Sequence, residues 1–286
     1  MIKGLGTALI TPFKADGSVD YEALARLLDT QLTGYVDYIV VLGTTGEAAT
    51  MTDKERAEVR SFVRSYVNGR LPLVLGLGGN CTAAVCEALR NTDLSGFCAI
   101  LSVCPYYNKP NQEGLYQHFC AVAEASPIPV ILYNVPGRTG VNLLPETVMR
   151  IYNARPDKII GIKEASGNVE QIKDLICRKS KVESQKQFLV ISGDDGIACE
   201  LMEAGAAGLI SVTSNAFPED FWHIVHDKDA ALQAKYAEMI KLLFAEGNPV
   251  GIKAVLAQKG LIQNHLRLPL VPSSKELEEK IKKELA

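Results

Sequence analysis

The chain has 286 residues, 47% of them apolar and 22% charged, and a formal net charge of −3 at pH 7. This composition is ordinary for a globular protein that buries a sizeable core in one large domain, with or without an appendage. The small net charge, and the lack of lysines and arginines interleaved with aromatic residues, argue against a nucleic acid partner. The longest apolar runs are about seven residues, whereas a membrane-spanning helix needs roughly twenty, so we expect no membrane partner.

The N-terminal sequence indicates a cytoplasmic protein, and the cysteines are expected to be structural. The segment MIKGLGTALITPF lacks the charged, apolar and small-residue cleavage regions of a signal peptide. The seven cysteines contain no CxxC pair and mostly lie in apolar segments. Because a free cysteine behaves there as a small hydrophobic residue, we expect structural rather than redox or metal-binding cysteines.

Short apolar segments recur along the chain with a steady spacing. Eight of them begin near residues 4, 38, 71, 97, 128, 159, 188 and 207. Each is continuous rather than alternating, which is typical of strands that are covered on both faces of a parallel sheet.

Amphipathic segments with helical spacing separate these strands. In DYEALARLLDTQL, for example, four leucines fall on one face. Thr52 and Glu55 form a capping box, in which each side chain can satisfy the free backbone amide of the other residue. Pro145 and Pro218 stand where the first turn of a helix tolerates the missing N–H group.

Eight strand–helix units in the first 217 residues predict an α/β fold, a closed (β/α)8 TIM barrel. An open doubly wound sheet fits less well, because no phosphate loop follows the first strand. From about residue 218 the pattern is helical only, and three further helices are predicted. We therefore expect a barrel core with the active site in residues 1–217, and the last barrel helix with C-terminal helices in residues 218–286.

Active sites of such barrels lie at the carboxyl ends of the strands. The residues at these ends are mainly hydroxyl-bearing residues and glycines, with one arginine and one lysine. The segments are GTTGE (43–47), CPYYNKP (104–110), YNVPGRTG (133–140), KEASG (163–167), SGDDG (192–196) and SVTSN (211–215).

Lys163 is the main candidate for covalent chemistry. An amine on a rigid strand that faces an apolar interior loses the hydration that stabilises its charged form, which favours the neutral nucleophile. A neutral amine can attack a ketone and form an iminium, which acidifies the neighbouring carbon. These steps need a group that donates and accepts protons. Tyr133, at the end of the preceding strand, carries a phenol that can do so. The alternatives are that Lys163 pairs with Glu164 or points outward, and that Tyr133 only packs.

Two further strand ends predict carboxylate recognition. Thr44 and Thr45 lie between Gly43 and Gly46, and we expect the glycines to permit a tight turn whose amides and hydroxyls bind a carboxylate. Arg138 offers a guanidinium fork for a second acid substrate. The alternatives are a turn that only starts the next helix and an exposed loop arginine.

These segments resemble the dihydrodipicolinate synthases, also called 4-hydroxy-tetrahydrodipicolinate synthases. The matching motifs are GTTGEAAT, PYYNKPNQEGLYQHF, YNVPGRTG, GIKEASG and SGDD, in the family's order across essentially the whole chain. The resemblance implies a lyase that condenses pyruvate with L-aspartate 4-semialdehyde in the biosynthesis of lysine and diaminopimelate.

The resemblance also implies the roles of the catalytic residues. Lys163 would hold pyruvate as a Schiff base, and Thr44, Tyr107 and Tyr133 would relay protons. In the family the tyrosine at the position of Tyr107 reaches into the neighbouring subunit, which implies a homo-oligomer, either a dimer or a tetramer of two dimers. No metal or organic cofactor is needed, because the iminium itself is the electron sink.

Four further residues would bind substrate. Thr45 would help to hold the pyruvate carboxylate and Arg138 the carboxylate of the semialdehyde. Gly193 and Ile210 match backbone positions that line the pocket.

The resemblance implies a regulatory pocket for L-lysine as well, and here the chain departs from the family. Asn80 and Tyr106 are retained. Lysine-sensitive bacterial members carry a glutamate at the position of Ala84 and commonly a histidine at that of Asp53. Alanine cannot pair with the effector's ammonium group, and losing such a pair can weaken binding by on the order of 1.5–3 kcal/mol. We therefore expect weak or absent inhibition by lysine.

Two other functions remain open from the sequence. One is a sister class I aldolase or lyase, such as N-acetylneuraminate lyase or a keto-deoxy sugar acid aldolase, which resembles the chain less at PGRTG. The other is a non-enzymatic barrel that binds a keto acid. His223 and His226 could touch one metal, but no third ligand is nearby, and no metal site is predicted. Asp194 and Asp195 are expected to cap the helix that opens at Gly196.

Overall fold

The strands of the computed structural model form the predicted barrel; the structure describes residues 2–180 and 188–286. Within these residues eight strands follow one another in chain order around a closed barrel. Each begins at or just after the predicted residue. They are β1 (Gly4–Ala8), β2 (Tyr38–Val41), β3 (Leu73–Gly76), β4 (Phe97–Val103), β5 (Val130–Asn134), β6 (Ile159–Glu164), β7 (Leu189–Ser192) and β8 (Gly208–Ser211).

Helices fill the intervals, and the predicted start signals are confirmed. Glu55 donates its amide to the Thr52 hydroxyl and accepts from the Thr52 amide, and Pro145 and Pro218 are first helical residues. The helices of the described residues are α1 (Tyr21–Thr33), α2 (Asp53–Val67), α3 (Thr82–Asn91), α4 (Gln112–Ala125), α5 (Pro136–Thr139), α6 (Pro145–Ala154), α7 (Val169–Ser180), α8 (Ala198–Glu203), α9 (Pro218–His226), α10 (Ala230–Lys235), α11 (Ala237–Ala245), α12 (Val250–Gln258) and α13 (Lys275–Glu284). None of those described is long and apolar enough to cross a membrane.

The C-terminal region departs from the expected three helices. The segment DAALQAKYAEMIKLLFAEG, whose helical spacing predicts the first of them, divides at Tyr236, which separates α10 from α11. The Tyr236 ring packs 5.1 Å and 5.4 Å from the rings of Phe217 and Phe221, and its hydroxyl donates to Asp220. These contacts come from α9 and the residue before it, so the helical spacing of the segment alone does not reveal the break.

The residue contacts divide the chain into two compact units. One contains residues 1–73 and 211–286, and the other contains residues 74–210. The C-terminal helices therefore belong to the same unit as β1 and β2. The predicted division at 217/218 cuts the chain elsewhere and stays a prediction.

Buried side chains of both strand faces explain the continuous apolar segments. Every residue of β5 and of β7 is buried. The cysteines fit this pattern only in part: Cys86, Cys104 and Cys199 are buried, whereas three others are exposed. The expectation of structural cysteines therefore fits the three buried ones and does not fit the three exposed ones.

Candidate active site

Lys163 and Tyr133 form a buried pair at the ends of β6 and β5. The two residues are direct partners in the parallel register, and their exposed fractions are 7% and 6%. The lysine nitrogen lies 4.5 Å from the centroid of the tyrosine ring. Parallel pairing thus brings the candidate nucleophile and the candidate proton donor to one place, as predicted.

Glu164 is not the partner of Lys163. Its carboxylate is fully buried and accepts hydrogen bonds from the side chains of Asn134 and Gln171. The amine of Lys163 lies beside the Tyr133 ring instead. The interpretation of Lys163 as half of an ion pair with its neighbour is therefore wrong.

Gly193, at the end of the adjacent strand, makes room for the lysine side chain. A Cβ atom added at Gly193 would lie 2.9 Å from Cε of Lys163 and 2.6 Å from Cβ of Ala165. Ile210 is 1% exposed near the end of β8. A side chain at position 193 would therefore collide with Ala165 and with the Lys163 side chain. That Gly193 and Ile210 line a substrate pocket stays a prediction.

The helix cap predicted after β7 is made by one aspartate. Asp194 accepts a hydrogen bond of 2.9 Å from the Gly196 amide. Asp195 is itself part of the short 3-10 turn Asp195–Ile197 and is buried.

Arg138 and Tyr107 lie on two loops that touch each other. Arg138 is exposed in the single helical turn α5. The Thr139 carbonyl, one residue on, accepts a 3.4 Å hydrogen bond from the Tyr107 amide. Tyr107 has a left-handed backbone with φ of 79° and is 89% exposed. A bulky side chain rarely adopts this conformation, and such strain is typical of functional loops.

Thr44 and Thr45 lie in a 3-10 turn after β2, in the unit that contains residues 1–73 and 211–286. Thr44 is exposed, whereas Thr45 is 2% exposed. The Thr45 hydroxyl oxygen accepts a 2.9 Å hydrogen bond from the side-chain amide of Asn248. Because the oxygen is already an acceptor in this contact, its hydrogen can be donated to another group.

The glycines of this turn do not act as expected. The left-handed residues are Leu42 and Glu47, with φ of 57° and 53°, and not Gly43 or Gly46. Gly46 is needed for space, because an added Cβ would lie 3.1 Å from the carbonyl oxygen of Leu9.

Glu47 also forms a buried ion pair that sequence reasoning missed. The Glu47 carboxylate and the Lys253 amine are 3% and 0% exposed and form a salt bridge. The same amine donates to the His265 carbonyl at 3.0 Å, and the Arg267 amide donates to Glu47 at 3.3 Å. Burial lowers the pKa of Lys253 to about 8, while the Glu47 charge acts in the opposite direction. The available signal was a single charge inside the apolar segment VGIKAVLAQ.

Two residues of the predicted effector pocket, Asn80 and Tyr106, are in contact. The side-chain amide of Asn80 donates to the Tyr106 carbonyl at 3.4 Å, and Ala84 is exposed on α3. Asp53, in the other unit, forms an exposed ion pair with Arg56. A lysine pocket at these residues stays a prediction.

The two candidate metal ligands have carboxylate partners. His223 pairs with Asp227 at 2.6 Å and His226 with Asp37 at 2.7 Å. Within residues 2–180 and 188–286 no group of three or more histidine, cysteine or acidic side chains could hold a metal ion.

A buried strand-end lysine that faces a tyrosine on the next strand of a (β/α)8 barrel defines an enzyme of the Schiff-base-forming, class I aldolase type. Comparison with known proteins narrows this class. The model of the dihydrodipicolinate synthetase family matches residues 1–286. The chain belongs to this family.

Individual relatives agree over nearly full length. The 4-hydroxy-tetrahydrodipicolinate synthase of Parabacteroides distasonis is 51% identical over 292 residues, which cover 99% of this chain and 96% of that protein. The crystal structure of dihydrodipicolinate synthase from Thermotoga maritima has a TM-score of 0.94 at 39% identity and covers 100% of this chain and 98% of its own. The chloride-inhibited dihydrodipicolinate synthase from Acinetobacter baumannii, complexed with pyruvate, has a TM-score of 0.93 at 40% identity, with the same coverage.

Proposed function

We propose that the protein condenses pyruvate with L-aspartate 4-semialdehyde to form 4-hydroxy-tetrahydrodipicolinate, in the biosynthesis of lysine and diaminopimelate. The observation that carries this proposal is the buried Lys163–Tyr133 pair in a chain whose relatives have that activity in their names.

The first half of the reaction uses the lysine as nucleophile. The neutral amine of Lys163 attacks the keto carbon of pyruvate, and the resulting carbinolamine loses water to give an iminium. Tyr133 donates the proton that the departing oxygen needs. The iminium then draws electrons from the neighbouring methyl carbon, which loses a proton and becomes an enamine. Thr44 and Tyr107 would complete the proton relay.

The second half joins the two substrates. The enamine carbon attacks the aldehyde of the semialdehyde, and the amino group of the semialdehyde then displaces the Lys163 amine as the ring closes. Thr45, whose hydroxyl hydrogen is left for a further acceptor, would bind the pyruvate carboxylate. Arg138 would bind the semialdehyde carboxylate as a fork, and Gly193 and Ile210 would line the pocket.

Trapping with borohydride tests the proposal. The protein is incubated with pyruvate and reduced, and the adduct is mapped by mass spectrometry. We expect one reduced pyruvyl group on Lys163 and none in a Lys163→Ala variant that retains its fold. Lys158→Ala is the matched control, because Lys158 precedes the opposite end of the same strand and donates to the Ser126 carbonyl. An adduct on another residue, or none, would contradict the proposal.

A substrate assay separates this activity from that of a sister lyase. The purified protein is given pyruvate with aspartate semialdehyde in one reaction and N-acetylneuraminate in another. We expect turnover only in the first, since aspartate semialdehyde carries a carboxylate of its own for the arginine in PGRTG, whereas the sugar aldehyde released from N-acetylneuraminate carries none.

We further propose a homodimer, or a tetramer of two dimers, in which Tyr107 acts in the site of the neighbouring subunit. The 89% exposure and left-handed backbone of Tyr107 support this role. If it is correct, mixed oligomers of Lys163→Ala and Tyr107→Phe chains contain some complete sites and exceed the activity of either variant alone. Mixing Lys163→Ala with Tyr133→Phe is the control, since both residues belong to one chain's site and no complete site can form. Equal results from the two mixtures would exclude action across subunits.

We place the reaction in the cytoplasm. The seven cysteines are all free, which suits a reducing compartment. Cell fractionation followed by an activity assay tests this location.

A further inference from the structure

Four polar side chains are joined behind the catalytic pair: Asn134, Asn142, Glu164 and Gln171. Asn134 and Glu164 follow Tyr133 and Lys163 in their strands and are also partners in register. Successive residues of a strand point to opposite faces. Asn134 and Glu164, both fully buried, therefore face away from the barrel interior, where α7 supplies Gln171.

Glu164 acts only as an acceptor in this network. The side-chain nitrogen of Asn134 lies 2.9 Å and 3.1 Å from the two carboxylate oxygens of Glu164. One oxygen also accepts from the Ser166 amide at 2.9 Å, and the other from the Gln171 amide group at 3.2 Å. Burial raises the pKa of Glu164, and these hydrogen bonds oppose the rise.

The amide side chains are oriented by their other partners. The Asn134 oxygen accepts from the Leu143 amide at 3.0 Å, and its NH₂ group donates to Asn142 at 2.7 Å. Asn142 and Gln171 exchange hydrogen bonds of 2.8 Å and 3.1 Å. The network thus connects the ends of β5 and β6 to α7 and to the segment that follows the Arg138 turn.

We propose that Glu164 is a positioning residue that holds the ends of β5 and β6, and the segment after Arg138, in the arrangement that the Schiff-base reaction needs. It acts through Lys163 and Tyr133 rather than on the substrate. The proposal rests on the proposed function, because the arrangement matters only if Lys163 is the nucleophile.

A glutamine cannot replace Glu164 in this network. Its oxygen would take the backbone amide, and its NH₂ group would face Asn134 and Gln171, which also donate. Gln171 can accept a hydrogen bond from the new NH₂ group only if its side-chain amide rotates. The side-chain amide of Asn142 must then rotate too, because the two amides are hydrogen-bonded to each other. Asn142 would in turn present an NH₂ group to that of Asn134, whose oxygen is already held by a backbone amide. At least one donor stays unpaired, which costs stability and register in a buried site.

Exchanging the acid and the amide restores every pair. In Asn134→Asp/Glu164→Gln the new carboxylate accepts from the Leu143 amide, from rotated Asn142 and from the new amide at position 164. The new amide also donates to rotated Gln171. The double variant therefore has one carboxylate and the same shape as the native network.

The test compares native protein, Glu164→Gln and Asn134→Asp/Glu164→Gln in borohydride trapping at saturating pyruvate, with the rate expressed per folded molecule. We expect the single variant to be slower on the order of tenfold, because small misplacements of reacting groups are costly, and the double variant to recover most of the rate. A merely structural role would lower the melting temperature but leave the rate per folded molecule unchanged.

The outcomes separate the two proposals. Native protein that gives no adduct contradicts the proposed function. Native protein that is trapped while Glu164→Gln is trapped equally fast contradicts the positioning role, as does a double variant no faster than the single one. If Glu164→Gln does not fold, the double variant decides alone: a rate near the native one supports the role, and a folded double variant that is slower on the order of tenfold overturns it.

Discussion

Tyr133 and Lys163 occupy one rung of the β5–β6 ladder, with the ring centroid 4.5 Å from the amine. Backbone hydrogen bonds set this register, so the pair does not depend on loop conformation. The two side chains lie on one face of the sheet, and the residues that follow them, Asn134 and Glu164, lie on the other. The backbone pairing of β5 and β6 thus fixes the positions of Tyr133 and Lys163 on one face of the sheet and of Asn134 and Glu164 on the other.

Removing only the hydroxyl of Tyr133 should slow catalysis without changing the packing. Tyr133→Phe keeps the ring beside Lys163 but loses the group that transfers protons, and we expect turnover to fall about 10²–10⁴-fold. Steady-state kinetics measure the loss. Tyr152→Phe is the control, because Tyr152 is a buried tyrosine that packs against Phe188. Turnover of Tyr133→Phe within about twofold of the native value would contradict the relay.

A methyl group at Gly193 should displace the nucleophile. The added Cβ would lie 2.9 Å from Cε of Lys163, closer than carbon atoms approach without strain, so trapping by Gly193→Ala should slow on the order of tenfold or more. At Gly137 an added Cβ meets nothing within 4 Å, and Gly137→Ala should keep the native trapping rate. The idea fails if the two variants behave alike.

Breaking the Glu47–Lys253 pair should destabilise the protein. Lys253→Met leaves a buried carboxylate without its cation, and the free energy of unfolding should fall by about 3–5 kcal/mol in urea titrations. Adding Glu47→Gln should restore most of it, because neither position is then charged. Lys241→Met, at the exposed pair with Glu238, should change the stability by no more than about 0.5 kcal/mol. A double variant as unstable as the single one would disprove this explanation.

His118 should make stability depend on pH. Burial lowers its pKa from 6.5 to about 4. Between these values the unfolded chain binds a proton that the folded chain does not, so this contribution is complete above pH 6.5 and is lost as the pH falls towards 4. The free energy of unfolding, measured across that range, should fall less steeply for His118→Gln than for the native chain. Parallel curves would rule out the assignment.

Inhibition by L-lysine should be weak or absent. Ala84 offers no carboxylate for the effector's ammonium group, although Asn80 and Tyr106 are present and joined. Initial rates with added L-lysine test this, and Ala84→Glu should bind lysine more tightly than the native chain. Half-inhibition well below millimolar lysine in the native enzyme would contradict the expectation.

The two candidate residues that the structure brings together as expected, Lys163 and Tyr133, share a local signal. Lys163 ends a continuous apolar segment, and Tyr133 ends the preceding one, so strand period and barrel geometry suffice to bring them together. Glu47 and Lys253 are 206 residues apart in the sequence, and each is an isolated charge until the fold joins them. Tyr236 shows the same limit, because the helix break it marks is produced by aromatic contacts with Phe217 and Phe221.

The sequence by itself determined the order of strands, the positions of their ends and the side chains presented there, because strand period and capping residues act over a few neighbours. Only the tertiary structure decided that Glu164 lies on the opposite face of the sheet from the Lys163 side chain. It also decided that the left-handed residues around the GTTGE turn are Leu42 and Glu47, and that the Lys163 side chain occupies the space beside Gly193. These depend on which distant groups supply hydrogen bonds, charge or steric contact. Such groups are brought together by the packing of the whole chain.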